Sequence, residues 1–246
     1  MLMPTSRKGK NMIEMLHADC MEYMAGLPDK AFDLAIVDPP YGIGVDGKNI
    51  IANKCDKDNI PFVSRSHEWD TSAPPREYFE ELMRVSKNQI IWGGNYFLDV
   101  LGYCKAPIIW DKLNGESLYA DGEMAWTSEG LPKNLKIFRH QWCGAFKDSE
   151  RGAKKIHPTQ KPVALYKWLL SRYAKPGDRI LDTHGGSGSI CIACHDLGYD
   201  LTWMELDANY YAAACKRYKD HAAQAVLFEP QEIRQKTYNN EFDLTS

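Results

Sequence analysis

Asp38-Pro39-Pro40-Tyr41 directly follows the apolar run Leu34-Ala35-Ile36-Val37. Two consecutive prolines fix φ and remove two N–H donors, so a strand cannot continue through them. The Asp38 side chain and the carbonyls around it are left at a sheet edge, with the Tyr41 ring beside them. A carboxylate, the rigid Pro39 carbonyl and an aromatic plane suit a planar amino-purine or amino-pyrimidine. The two oxygens accept the amino hydrogens and the ring stacks on the base. An isolated Pro-Pro is commonly a rigid strand-end turn and nothing more. The acid before this pair and the aromatic after it favour chemistry.

A second constellation is Asp182-Thr183-His184-Gly185-Gly186-Ser187-Gly188-Ser189, between an apolar run and a helical pattern. Glycines there let the backbone approach a ligand closely. The free N–H groups of the following helix favour an anionic group. Glu205 lies 23 residues after Asp182, about where a carboxylate grips ribose hydroxyls in nucleotide folds. The dinucleotide fingerprint is incomplete, because a Gly-x-Gly-x-x-Gly starting at Gly186 meets Cys191. A Walker phosphate loop is absent as well. An adenosine ligand carrying a carboxylate instead of a pyrophosphate fits better, and S-adenosylmethionine is such a ligand. A plain strand–helix turn with packing glycines is the alternative.

The elements that must hold these residues are legible as short apolar runs bounded by turn residues. Strands are expected at Met12–Leu16, Ala31–Val37, Gln89–Trp92, Pro107–Trp110, Met124–Thr127, Arg179–Leu181 and Leu201–Met204. Helical spacing appears in Arg76–Val85, Val163–Tyr173, Ser189–Leu197 and Asn209–Tyr218. Strands alternating with helices imply an α/β domain with a mostly parallel sheet covered on both faces. Ligands in such sheets gather at the carboxyl ends of strands. Asp19, Asp38, Asn95, Asp182 and Glu205 each follow a strand run. The stretch 42–72 is polar and turn-rich and reads as a mobile loop, 130–157 reads as irregular and basic, and 225–246 as a patternless tail.

The chain has 246 residues and a net charge of −3, which suits one domain spanning 1–246 and excludes a wholly basic nucleic-acid coat. Charge is unevenly placed. From Lys133 to Lys161 eight Lys/Arg stand against two acids, a net +6, which leaves −9 elsewhere. Seven cysteines, an odd number, read as reduced thiols rather than a disulfide framework. There is no secretory h-region behind Arg7-Lys8 and no membrane-length apolar run. A soluble cytoplasmic protein without a membrane partner is expected. Cys191 and Cys194 have no second pair, so helix packing is expected there and no metal site. Tyr210 and Tyr211 are expected in the core, and His157 as a structural residue.

Together the two motifs resemble the S-adenosylmethionine-dependent DNA amino-methyltransferases of the β class. In that class the Asp-Pro-Pro-Tyr motif comes first and the glycine motif last. His157-Pro158-Thr159-Gln160-Lys161-Pro162, Pro176-Gly177-Asp178 and Met204-Glu205-Leu206-Asp207 also match. Trp69-Asp70, Tyr78-Phe79 and Gly93-Gly94-Asn95-Tyr96-Phe97 resemble small phage or prophage adenine methyltransferases. One departure is Thr183-His184 where the family usually has Pro-Phe.

The resemblance implies a Rossmann-like methyltransferase fold, circularly permuted, with one antiparallel strand in its sheet. It implies transfer of a methyl group to N6 of a flipped adenine in DNA. Asp38, Pro39, Pro40 and Tyr41 would hold the base. Asp182, His184, Gly186, Ser187 and Gly188 would hold the cofactor, with Glu205 on its ribose. Asp19 and Cys20 would flank its adenine, and Thr159 and Lys161 its methionine end. The 130–157 segment becomes a target-recognition and DNA-contact segment. Its contacts would be Lys133, Lys136, Arg139, Lys147, Arg151, Lys154 and Lys155, with Trp142 and Phe146 interleaved. A homodimer and a cognate restriction endonuclease are partners the resemblance allows. N4-cytosine is the nearest rival substrate, with RNA or a protein glutamine further off. A non-catalytic DNA-binding module of the same fold and a nicotinamide oxidoreductase are the readings of other classes.

Overall fold

The computed structural model describes residues 11–43, 72–115, 120–143, 146–153 and 155–224. In chain order the elements begin with β1 (Ile13–His17), α1 (Cys20–Ala25), β2 (Phe32–Val37), α2 (Arg76–Val85) and β3 (Ser86–Trp92). They continue with α3 (Leu98–Leu101), β4 (Ile108–Asp111), β5 (Gly122–Thr127), β6 (Lys136–Arg139), β7 (Trp142–Cys143) and β8 (Phe146–Lys147). The last are α4 (Val163–Tyr173), β9 (Arg179–Asp182), α5 (Ser189–Leu197), β10 (Asp200–Glu205) and α6 (Ala208–Ala222). Among the described residues one eight-stranded sheet runs in the order β1-β10-β9-β2-β3-β5-β4-β6. β1, β10, β9, β2 and β3 are parallel. β5 is antiparallel to β3 and β4, and β6 is parallel to β4. The sheet is therefore mostly parallel with one reversed strand, as expected.

The central strands are apolar on both faces because both are covered. Leu34 and Ile36 of β2 with Ile90 and Trp92 of β3 pack under α4 and α5. Ala35, Val37 and Ile91 point the other way, toward α1 and α2. The sheet is thus the middle of three layers.

Two expectations change. The 130–157 segment is not wholly irregular, since Lys136–Arg139 extends the main sheet as β6 and β7 pairs with β8 as a small hairpin. Short runs with a single alternation carry too weak a pattern to be seen in sequence. α1 was also not expected. Its first turn is capped by the Asp19 side chain, which accepts from the backbone N–H groups of Met21 at 2.7 Å and Glu22 at 3.2 Å. The loop expected at 42–72 and the tail at 225–246 lie almost entirely outside the described residues. At the loop's described ends, a Cβ on Gly42 would sit 2.6 Å from the Ala73 nitrogen, so the chain leaves and returns at one point.

Candidate active site

The parallel strands bring their carboxyl ends to one edge of the sheet, and the order of strands sets the order of side chains. Asp19 follows β1, Glu205 ends β10, Asp182 ends β9, Asp38 follows β2, and Gly93-Gly94 follow β3. A cavity of about 730 Å³ opens along this edge, within the roughly 300–1,000 Å³ usual for small-molecule sites. Asp19, Cys20, Asp38 and Pro40 line it from the first half of the chain. Thr159, Lys161, His184, Gly186, Ser187 and Glu205 line it from the second. Pro39, Tyr41, Asp182 and Gly188 are not among its lining residues.

Asp38 is held on both oxygens. Tyr41 Oη donates to Oδ1 at 2.7 Å, and Lys161 Nζ donates to Oδ2 at 2.5 Å. Each carboxylate oxygen retains a second acceptor site. Burial raises the Asp38 carboxyl above the ordinary carboxylate range, against the lowering effect of the Lys161 charge. Burial, with Asp38 adding to it, pushes the Tyr41 phenol well up, so it stays protonated and donates. The Tyr41 ring stacks on Tyr96, centroids 5.0 Å apart and planes 19° off parallel. It also lies against Gly93, where a Cβ would come within 2.1 Å of the ring. Gly93 has φ +68°, so glycine serves there for both space and backbone. The ring expected to stack on a base is thus packed on protein.

The glycine turn is built around Glu205. Its Oε2 accepts from Gly186 N at 2.8 Å and its Oε1 from Asp207 N at 2.8 Å. The carboxylate is therefore fixed in orientation, with one acceptor site left on each oxygen. Gly185 has no room for a side chain, because a Cβ would sit 1.8 Å from Trp203 Nε1. Gly188 caps α5 with φ +67°, the left-handed region that favours glycine. Asp182 is buried beneath the turn and accepts from His184 N at 3.1 Å. His184 packs edge-on to Tyr78 at 5.0 Å, and burial lowers its imidazole to about 4, so the ring is neutral. Burial, with help from Asp19, raises Cys20 to about 11. That thiol is not a nucleophile at neutral pH.

The structure adds to the sequence expectations and revises some of them. Lys161, expected at the methionine end of a cofactor, places its ammonium on Asp38 and 3.0 Å from Glu123 Oε2. Glu123, absent from the sequence reading, is a second buried carboxylate of the site. It pairs with Lys112 at 2.6 Å, and the two ammonium groups outweigh burial to hold its carboxyl at about 2. Tyr210 is not core. It lines the cavity and meets His157 edge-on at 4.4 Å. His157 lines the cavity too, and burial with the Lys161 charge lowers it to about 4. Trp142 cannot take part in a DNA face, being 6% exposed with Nε1 donating to the Gln160 carbonyl at 2.8 Å. Cys191 and Cys194 are buried in the core on α5.

The basic residues stand apart from the cavity. Lys133, Arg139, Arg151 and Lys155 are exposed. Lys136 is half-buried, and Lys147 Nζ lies 4.9 Å over the Trp142 ring. Lys154 and the Phe146 side chain lie outside the described residues. This segment is tied to the glycine turn. Arg217 donates to the Ser187 carbonyl at 2.9 Å and pairs with Glu150 at 2.5 Å.

Residues 105–216 match a family model described as DNA methylase. The chain is 27% identical over 250 residues to the type II methyltransferase M.HinfI of Haemophilus influenzae, covering 84% of this chain and 68% of that one. A crystal structure of M1.HpyAVI with SAM is similar in fold, with TM-score 0.52, 23% identity, and 84% and 100% of the two chains covered. The PvuII cytosine-N4-specific DNA methyltransferase is similar as well, with TM-score 0.52, 14% identity, and 94% and 92% covered.

Proposed function

We propose that this chain, whose residues 105–216 match a family model described as DNA methylase, is a DNA methyltransferase that moves a methyl group from S-adenosylmethionine to N6 of adenine. The observation that supports this reading is the shared cavity. Asp38 and the Glu205-braced glycine turn line the same space of about 730 Å³. The residues fit the cofactor. Glu205 offers oriented acceptors for ribose hydroxyls, and Asp19 and Cys20, which line the cavity just after β1, would take its adenine. Gly186 leaves the space a side chain would fill. Bound there, S-adenosylmethionine supplies an electrophilic methyl group whose departure leaves a neutral thioether.

The difficult partner is the nucleophile, because an exocyclic amino nitrogen shares its lone pair with the ring. Asp38, which lines the cavity, accepts an amino hydrogen. This aims the lone pair and stabilises the positive charge that develops on nitrogen. The surplus proton then passes to the Asp38 carboxylate. No cysteine nucleophile is required. In a duplex the amino group cannot reach this cavity, so the base leaves the stack. The segment 130–157 is the DNA face. Its exposed Lys133, Arg139, Arg151 and Lys155 meet phosphates.

Adenine is chosen over cytosine on the Asp of the corner motif, through the family resemblance. The cofactor reading is tested by calorimetric titration with S-adenosylmethionine and with NAD. Binding of the first alone is expected, and binding of NAD alone would replace this reading by an oxidoreductase. The catalytic reading is tested with Asp38→Ala, expected to bind cofactor and not to methylate.

A further inference from the structure

We infer that Glu123 is a positioning residue that shares the Lys161 ammonium with the catalytic Asp38 carboxylate and so sets how much of that charge Asp38 receives, an arrangement that rests on the proposed role of Asp38. Four charges alternate in a row, three of them half-buried and Lys161 buried. Lys112 Nζ is 2.6 Å from Glu123 Oε1, Glu123 Oε2 is 3.0 Å from Lys161 Nζ, and Lys161 Nζ is 2.5 Å from Asp38 Oδ2. The ammonium also lies 5.4 Å over the Trp92 ring. The Lys161 side chain is 3% exposed, so water does little to screen it. A lone buried ammonium would be costly, and two carboxylates offset that cost.

The fold makes this row from distant segments. β5 runs against its neighbours, so its first residues arrive at the edge where the parallel strands end. Glu123 is therefore delivered beside Asp38. Lys161 comes from the loop before α4, and Ser189 Oγ fixes its backbone by donating to the Lys161 carbonyl at 2.7 Å. Glu123 Oε2 lies 3.0 Å from the Lys161 ammonium, close enough to share its charge with Asp38. With Tyr41 on the other oxygen, the carboxylate is held in one orientation before a base arrives. Its free acceptor sites remain for the amino group.

The groups facing Asp38 are Lys161 and Glu123 in the row and Tyr41 on its other oxygen, with Tyr78, Tyr166 and Asp182 around it. Of these, Lys161 favours the ionised carboxylate and Glu123 opposes it. The two residues therefore predict opposite effects on the acid limb of the kcat–pH profile. Lys161→Met should move it up by about one unit or more, and Glu123→Gln should move it down. The charge-balanced double variant should return it toward wild type. S-adenosylmethionine affinity should change less than kcat in all three. Packing damage alone would move both single variants the same way or leave the limb unmoved. Either result, with wild type active, overturns the inference and spares the function. If Lys161→Met does not fold, Glu123→Gln and the double variant decide by the same signs. An inactive wild type overturns the function and the inference together.

Discussion

At the scale of single residues the account rests on Asp38 and Glu205. Removing one oriented acceptor from a charge-developing centre typically costs a few orders of magnitude in rate. Asp38→Ala should therefore lower kcat at least about 10²-fold with cofactor affinity retained, as measured by label transfer and calorimetry side by side. Glu205→Ala removes a carboxylate braced by two backbone N–H groups. It should weaken S-adenosylmethionine binding about tenfold or more, and unchanged affinity by calorimetry would remove Glu205 from the ribose. The pH dependence has a definite sign. Asp38 must be ionised to accept the amino hydrogens, and burial raises its carboxyl above the ordinary value near about 4. Activity is present above the raised value and lost as pH falls through it. The acid limb of kcat should stand above the ordinary carboxylate range, and a limb below it would contradict the assignment. Asp38, Asp182 and Glu205 were legible in sequence because each ends an apolar run. Glu123 was not, because nothing local to Gly122–Thr127 reveals that this strand is reversed.

Among the elements, the glycine turn depends on the strand beside it. A Cβ at position 185 would overlap the Trp203 indole, and Trp203 is fully buried. Gly185→Ala should lower stability by about 1–3 kcal/mol, seen as a fall in Tm, and should weaken cofactor binding with it. A neutral substitution would mean that Trp203 has room to move. The helices Arg76–Val85 and Val163–Tyr173 lie where their apolar spacing put them, because each buries one side against the sheet, and Ser189–Leu197 is buried almost all round. α1 escaped notice because six residues hold less than two turns, and its start is fixed by the Asp19 side chain rather than by a stripe. β6 to β8 escaped notice because two to four residues show no period. Tyr210 was misplaced because a tyrosine at helical spacing reads alike whether it faces core or cavity.

Across the whole molecule, the exposed basic residues lie outside the cavity, and Arg217 ties their segment to the glycine turn. The +6 of Lys133–Lys161 runs into the cavity at its last residue, Lys161, while the rest of the chain is net acidic. No helix among the described residues is long and apolar enough to cross a membrane. Binding of DNA should weaken with salt, with a slope of about 0.9 in log–log terms per phosphate contact. Lys133→Ala and Arg151→Ala should each lessen that slope by about one while leaving S-adenosylmethionine affinity unchanged. Slopes identical to wild type would move the DNA face elsewhere. The central claim is that Asp38 and the cofactor turn serve one transfer to an extruded adenine. Its most direct test is incubation of DNA with methyl-labelled S-adenosylmethionine, digestion to nucleosides and mass spectrometry. The account predicts label in N6-methyladenine with the wild-type protein and none with Asp38→Ala. Label in N4-methylcytosine, or equal label from the variant, would contradict it.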